Sequence, residues 1–286
     1  MNDVQNEHLH KRISQLVLAS SSPRRKELVA LLDLSLPVSV FSVEVDERID
    51  RAWQPAEAVE LLSMAKAEAT AKAIAEGRAP HDINPNSALI LAADTVVVVD
   101  DQIVGKPASE NEAFQMLKKL QGRSHYVYTG IMLLHSGCDK TGALQQVQME
   151  NEIMPAFVQA TSESIAKPGN SAAAGESIAR FNSRAAAKRI AFGAYGQYEL
   201  VFQSDQLAAV VGHTYSQVTF RSMSDDEIYA YIKTGEPLDK AGSYGIQGIG
   251  SIFVEKIEGD FYSVMGLPLN LLYPTLLQFG ISPFAT

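Results

Sequence analysis

The feature that most constrains this chain is Ala88 to Val99, Ala-Leu-Ile-Leu-Ala-Ala-Asp-Thr-Val-Val-Val-Val, two apolar β-rich runs interrupted only by Asp94 and Thr95. An unpaired carboxylate buried in such a run costs several kcal/mol, so Asp94 calls for a metal, a cation, or a point where the strand opens into a cleft. The ordinary reading is an aspartate that ends one strand and starts a turn. Turns, however, usually bring Gly or Pro clusters, and here apolar sequence flanks the carboxylate on both sides. We therefore expect Asp94 to carry a function.

Asp100-Asp101-Gln102 reads as a hairpin turn whose returning strand delivers Gly105-Lys106-Pro107 near Asp94, so Lys106 is expected to face the same cleft. Upstream, a strand from Gln15 to Ala19 runs into Ser20-Ser21-Ser22-Pro23 and a helix from Arg24 to about Leu32. Pro23 suits a first helical turn. Arg24 and Arg25 stand at the wrong end of that helix for its dipole, so stability does not explain them. Free backbone N–H groups, the serines and two guanidiniums would together cradle a phosphate; the plainer alternative is a serine-capped helix with surface ion pairs. A short strand, Val38 to Val43, precedes the acidic loop Glu44 to Arg48, a pattern that usually marks a solvated face. Pro55 opens an Ala-rich helix to about Ala75, rich in strong helix formers, with Lys66 near its middle.

Ser109 and Glu112 predict a capping box for a helix ending near Leu120, followed by a strand from Ser124 to Leu134. Ser136 to His213 turns rich in Ala, Ser and Gln and reads as a low-complexity insertion between strands, its residues Arg180, Arg184, Lys188 and Arg189 spaced as a solvated basic helix. Residues 15–135 and 214–286 would then form one domain, with 1–14 a disordered tail. Because loop closure grows slowly with length, a short linker in place of Ser136 to His213 is expected to leave a folded protein.

After it come a strand from Tyr215 to Arg221, a second capping box at Ser224 and Glu227, and a helix to Thr234 closed by Gly235. The Gly-rich stretch Glu236 to Gly250 is too long a loop to be idle. It lacks the dinucleotide-binding spacing, and Ser251 to Ile257 after it reads as a strand rather than a helix. Lys240 offers a cation there and Gln247 an amide able to read a base edge. A final hairpin and a helix after Pro268 complete the core.

A net charge of −9 provides no global field for duplex nucleic acid, so an anionic substrate must meet a local basic cluster. The single cysteine, Cys138, excludes an internal disulfide and thiolate metal spacings. No apolar run approaches the roughly 18 residues that span a bilayer, and the start shows no apolar signal segment. The expectation is a cytoplasmic protein that engages neither nucleic acid nor membrane.

Several segments together resemble the Maf family of nucleoside triphosphate pyrophosphatases: Leu18-Ala19-Ser20-Ser21-Ser22-Pro23-Arg24-Arg25, Val45-Asp46-Glu47, Lys66-Ala67, Ala93-Asp94-Thr95-Val96, Gly105-Lys106-Pro107, Pro237 to Gly242, Tyr244 to Gly248 and Val264 to Leu269. The resemblance implies an α/β fold with an elongated mixed sheet, flanking helices and a central cleft, similar to inosine triphosphate pyrophosphatases. It implies metal-dependent release of pyrophosphate from dTTP and UTP, with CTP or modified pyrimidine nucleotides as further candidates. Carried over by position, Asp94 is the proton acceptor, and Arg24, Thr95 and Gln247 are associated with base preference.

For the bound triphosphate, Ser20, Ser22, Arg24, Arg25, Lys66, Lys106 and Lys240 are the candidate contacts. Glu47 and Asp94 are the candidate ligands for Mg²⁺ or Mn²⁺. Lys66 and Lys106 join Asp94 as candidate catalytic groups, and a homodimer is a candidate assembly. Two other readings are a nucleotide-binding regulator related to septum formation, without turnover, and a house-cleaning hydrolase of modified nucleotides.

Overall fold

Ala88–Val99 folds as one continuous strand, β3, and the molecule is arranged around it. The computed structural model describes residues 13–136, 189–203 and 206–284. Strands β1 (Gln15–Leu18) and β2 (Val38–Val40) run parallel on one side of β3. On the other side lie the antiparallel strands β5 (Ser124–His135), β6 (Arg189–Phe192), β7 (Gly196–Gln203) and β8 (Gln206–Phe220). The sheet order is β2-β1-β3-β5-β8-β7-β6, with β4 (Gln102–Val104) returning along β3 and β9 (Val254–Glu258) along β8.

Helices cover both faces. Leu89 and Leu91 pack with Leu28 of α1 (Pro23–Ala30) and with Leu271, Leu272 and Leu276 of a helix over Leu269–Leu277. On the opposite face, Ile90 and Ala92 pack with Met64, Ala67 and Ala71 of α2 (Pro55–Ala75), whose small alanines allow close approach. Further along β3, Val97 and Val99 lie under Leu117 of α3 (Glu110–Leu120) and Ile228 of α4 (Asp225–Ile232), while Val96 and Val98 meet Val59 of α2. The apolar runs on either side of Asp94 and Thr95 in β3 follow from this two-sided cover. The remaining α-helices among the described residues are α5 (Phe261–Met265) and α6, the helix over Leu269–Leu277. This is the mixed sheet with flanking helices that the sequence led us to expect.

The sheet is incomplete at one place. β1 pairs with β3 only as far as Leu18 opposite Leu91, and β4 pairs only from Val97 onward. Among the described residues, Ala92 to Val96 therefore have β5 on one edge and no strand on the other. Asp94 and Thr95 sit in this opening, which is how a carboxylate stands inside an apolar strand.

Several expectations need correction. The strand expected to begin at Tyr215 begins at Gln206, and β6, β7 and the first half of β8 all fall within the expected insertion Ser136 to His213. Val210 and Val211 are buried in the core, so that part of the segment belongs to the sheet. Arg189, expected on a solvated helix, lies on β6 and pairs with buried Glu60. Ile13 packs against the core and Ser14 bonds Ser87, so the tail does not extend to residue 14. Residues 1–12 of the tail, Cys138, Arg180, Arg184 and Lys188 lie outside the described residues.

β2 stops at Val40, and the stretch Ile249–Phe253 turns as a 3-10 helix before β9 begins. α5 replaces the final hairpin. The Ser109 box is half formed: Ser109 accepts from the Glu112 N–H at 3.2 Å, but the Glu112 carboxylate accepts from Ala108 instead. The Ser224–Glu227 box is complete. Among the described residues no helix is long and apolar enough to cross a membrane.

Candidate active site

The opening beside β3 widens into a cavity of about 1100 Å³. β1 ends in Ser20 to Ser22, which turn into α1 with Pro23 in its first turn and no side-chain cap from Ser22. That turn, the loop around Glu47, Lys66 of α2, Asp94 and Thr95 of β3, Lys106 after β4, and Lys240 all line the cavity. Residues separated by more than 200 positions are thus brought to one place by the break in the sheet.

Asp94 faces α2. Its Oδ1 accepts a hydrogen bond from Lys66 Nζ, and both side chains are nearly buried. The same ammonium is 2.8 Å from Glu47 Oε1, and Lys106 Nζ is 3.2 Å from Glu47 Oε2. Burial pushes the Glu47 carboxyl up, but the hydrogen bond and charge of Lys66, with the charge of Lys106, outweigh it and hold the group below the ordinary carboxylate value.

Thr95 faces the other side, toward α1. Arg25 of α1 donates from Nη2 to Thr95 Oγ1 at 3.2 Å, from Nε to the Gly266 carbonyl at 2.7 Å, and from Nη1 to Ser20 Oγ at 3.4 Å. Burial lowers the Arg25 pKa while the charge of Asp94 opposes the shift, and a guanidinium remains charged in either case. Arg24 lines the cavity without a hydrogen bond or ion pair among the described residues. Lys240 reaches Asp239 Oδ1 at 2.6 Å and the Glu236 carbonyl at 2.7 Å.

Gln247 is the one expected site residue that does not line the cavity; its side chain is exposed. The cause lies in the Gly-rich loop, which wraps around the Glu236 carboxylate. Ile249 and Gly250 N–H groups and the Tyr231 hydroxyl all donate to Glu236, and a Cβ at Gly248 would stand 2.3 Å from Glu236 Oε1. This wrap turns Ile246 inward and Gln247 outward.

Sequence reasoning missed the pair behind that loop. Tyr244 lines the cavity, and its hydroxyl lies 2.8 Å from Nε2 of buried His125. Burial and the charge of Arg123 lower the His125 pKa to about 3, so the imidazole is neutral at physiological pH. A lone histidine in a strand gives no signal of this in sequence.

Among the described residues no three His, Cys, Asp or Glu groups cluster as a protein cage for a metal. Glu47 and Asp94 nevertheless converge on one cationic atom, Lys66 Nζ. Two hard carboxylates suit a Mg²⁺ or Mn²⁺ ion that takes its remaining oxygens from water and substrate phosphate.

A family model described as Maf-like protein matches residues 15–172 and 156–279 of the chain. A dTTP/UTP pyrophosphatase of Moorella thermoacetica is 36% identical over 269 residues, which cover 94% of this chain and 97% of that protein. A dTTP/UTP pyrophosphatase of Bacillus cereus is 34% identical over 267 residues, covering 93% and 96%.

Proposed function

The chain belongs to the Maf-like protein family, and on that footing we propose that it hydrolyses dTTP and UTP to the monophosphate and pyrophosphate. The observation that carries this reading is a carboxylate, Asp94, held by one lysine at the mouth of a break in the sheet and facing a cavity lined by further cations. A triphosphate brings about four negative charges, which a chain of net charge −9 accommodates only where cations are concentrated.

In this mechanism Lys66 fixes Oδ1 of Asp94, leaving Oδ2 to accept a proton from water. The water oxygen forms a bond to the α-phosphorus. The bond from that phosphorus to the bridging oxygen breaks, and the electron pair leaves with pyrophosphate. Arg24, Arg25, Lys106 and Lys240 neutralise the leaving group, with Ser20 and Ser22 at the same phosphate-facing turn. Glu47 and Asp94 would hold the Mg²⁺ or Mn²⁺ ion, which when bound neutralises phosphate charge and polarises the reacting centre.

The relatives' names favour thymine and uracil nucleotides; CTP and modified pyrimidine nucleotides belong in the same panel as competitors. Hydrolysis in ¹⁸O-water tests the reading. The expected products are pyrophosphate and a monophosphate carrying the label. Orthophosphate and a nucleoside diphosphate as first products would place cleavage at the γ-position, and binding without any product would favour a nucleotide-binding regulator.

A further inference from the structure

Thr129 lies on β5 directly opposite Thr95 of β3, fully buried and outside the cavity wall. Its hydroxyl donates to the Ser263 carbonyl at 2.7 Å. A carbonyl only accepts, so the Thr129 proton is committed. The 2.9 Å contact between the two threonine hydroxyls then has one polarity, with Thr95 donating and Thr129 accepting. Thr95 has spent its one proton and meets Arg25 Nη2 as an acceptor at 3.2 Å.

Hydrogen bonds therefore run in one direction from Arg25 through Thr95 and Thr129 to Ser263. With Nε on Gly266 and Nη1 on Ser20, the guanidinium is held at all three nitrogens. Of its five N–H groups, one on each terminal nitrogen stays unclaimed among the described residues. A planar, charged guanidinium with free donors suits the oxygens of a phosphate.

From this geometry we infer that Thr129 is a positioning residue for phosphate recognition: acting through Thr95, it sets the plane of the Arg25 guanidinium that meets the bound triphosphate. The inference rests on the cavity being a nucleoside triphosphate site. It also gives Thr95 a part in orienting a phosphate ligand and leaves its hydroxyl only an acceptor lone pair to offer a base.

Thr129→Val removes the hydroxyl and keeps the shape, whereas Thr129→Ser keeps the hydroxyl. Both are titrated calorimetrically with inorganic tripolyphosphate, which has neither base nor sugar, and their thermal unfolding is recorded. Affinity should fall about tenfold in Thr129→Val, the scale of one hydrogen bond to a charged group, and recover in Thr129→Ser. KM for dTTP should rise in parallel, with the dTTP to CTP ratio of kcat/KM unmoved.

If Thr129→Val does not fold, Thr95→Val and Thr95→Ser carry the same comparison. Equal tripolyphosphate affinity in folded wild type and valine variant, with dTTP still turned over, overturns the relay alone. A shifted dTTP to CTP ratio at unchanged tripolyphosphate affinity overturns it too. Loss and recovery of tripolyphosphate affinity in a chain that hydrolyses no dTTP would sink the hydrolase reading and leave the relay standing.

Discussion

Asp94 and Gly130 sit opposite each other in the β3–β5 ladder, and the missing side chain of Gly130 is what lets α2 lie close enough for Lys66 to reach Asp94. Directly paired residues of an antiparallel ladder point to the same face. A Cβ at Gly130 would stand 2.4 Å from the Val59 carbonyl oxygen, so α2 would have to move away. Gly130→Ala should cost about 1–3 kcal/mol of stability by overpacking and lower kcat by separating Lys66 from Asp94. Thermal unfolding and dTTP turnover measure the two effects; an unchanged Tm would contradict the contact.

Lys66 also controls Glu47. Folding lowers the Glu47 pKa, so its contribution to stability is present above the unfolded value and is lost as the pH falls through the lower folded one. In Lys66→Met burial remains while its main counter-charge is gone. The Glu47 pKa should therefore rise, seen by carbon NMR titration of the carboxyl, and the share of acid destabilisation that Glu47 contributes should shrink. A carboxyl that titrates as in wild type would count against the bridge.

His125 makes the opposite kind of group, a base whose folded pKa is depressed to about 3 from an ordinary 6.5. Its neutral form is compatible with the fold at all pH above the unfolded value, and stability is lost as the pH falls from 6.5 toward 3. The slope for one such proton is at most about 1.4 kcal/mol per pH unit. Denaturant unfolding over this range should show a shallower slope in His125→Gln than in wild type. Equal slopes would mean that His125 is protonated in the fold.

Excision of 136–213 tests where the core ends. The expectation from sequence was a tolerated linker, but β8 pairs with β5 from Gly130 opposite His213 to Leu134 opposite Ala209. Glu60 of α2 is held by His213 Nδ1 at 2.8 Å and Arg189 Nη2 at 3.0 Å. Losing these leaves β5 with an open edge and Glu60 buried without its partners. The shortened chain should lack a cooperative thermal transition; a wild-type Tm would show that this half of the sheet is dispensable.

The elements legible in sequence were those with strong local signals. β3 and α2 take the limits Ala88–Val99 and Pro55–Ala75 that apolar continuity and Pro55 suggested. Ser224 and Glu227 announce α4 because both partners of the cap lie within one turn. β6 and β7 were hidden because they follow a polar, Ala-rich stretch, and much of their packing rests on long-range pairs such as Arg189 with Glu60.

In the site, charged residues beside Asp94 could be read from residue type. Gln247 could not, since only the wrap of the loop around Glu236 decides which way it faces. The polarity of the Arg25–Thr95–Thr129 chain likewise depends on a register between two strands.

If Asp94 activates the water that cleaves the triphosphate, Asp94→Asn should separate turnover from binding. The amide keeps the shape but removes charge and basicity, so one preparation is measured for dTTP turnover and for equilibrium dTTP binding. Its kcat should be lower by at least about a hundredfold, the lower bound for a general base, with affinity kept within about fivefold. Turnover near the wild-type rate, at any affinity, would contradict that role.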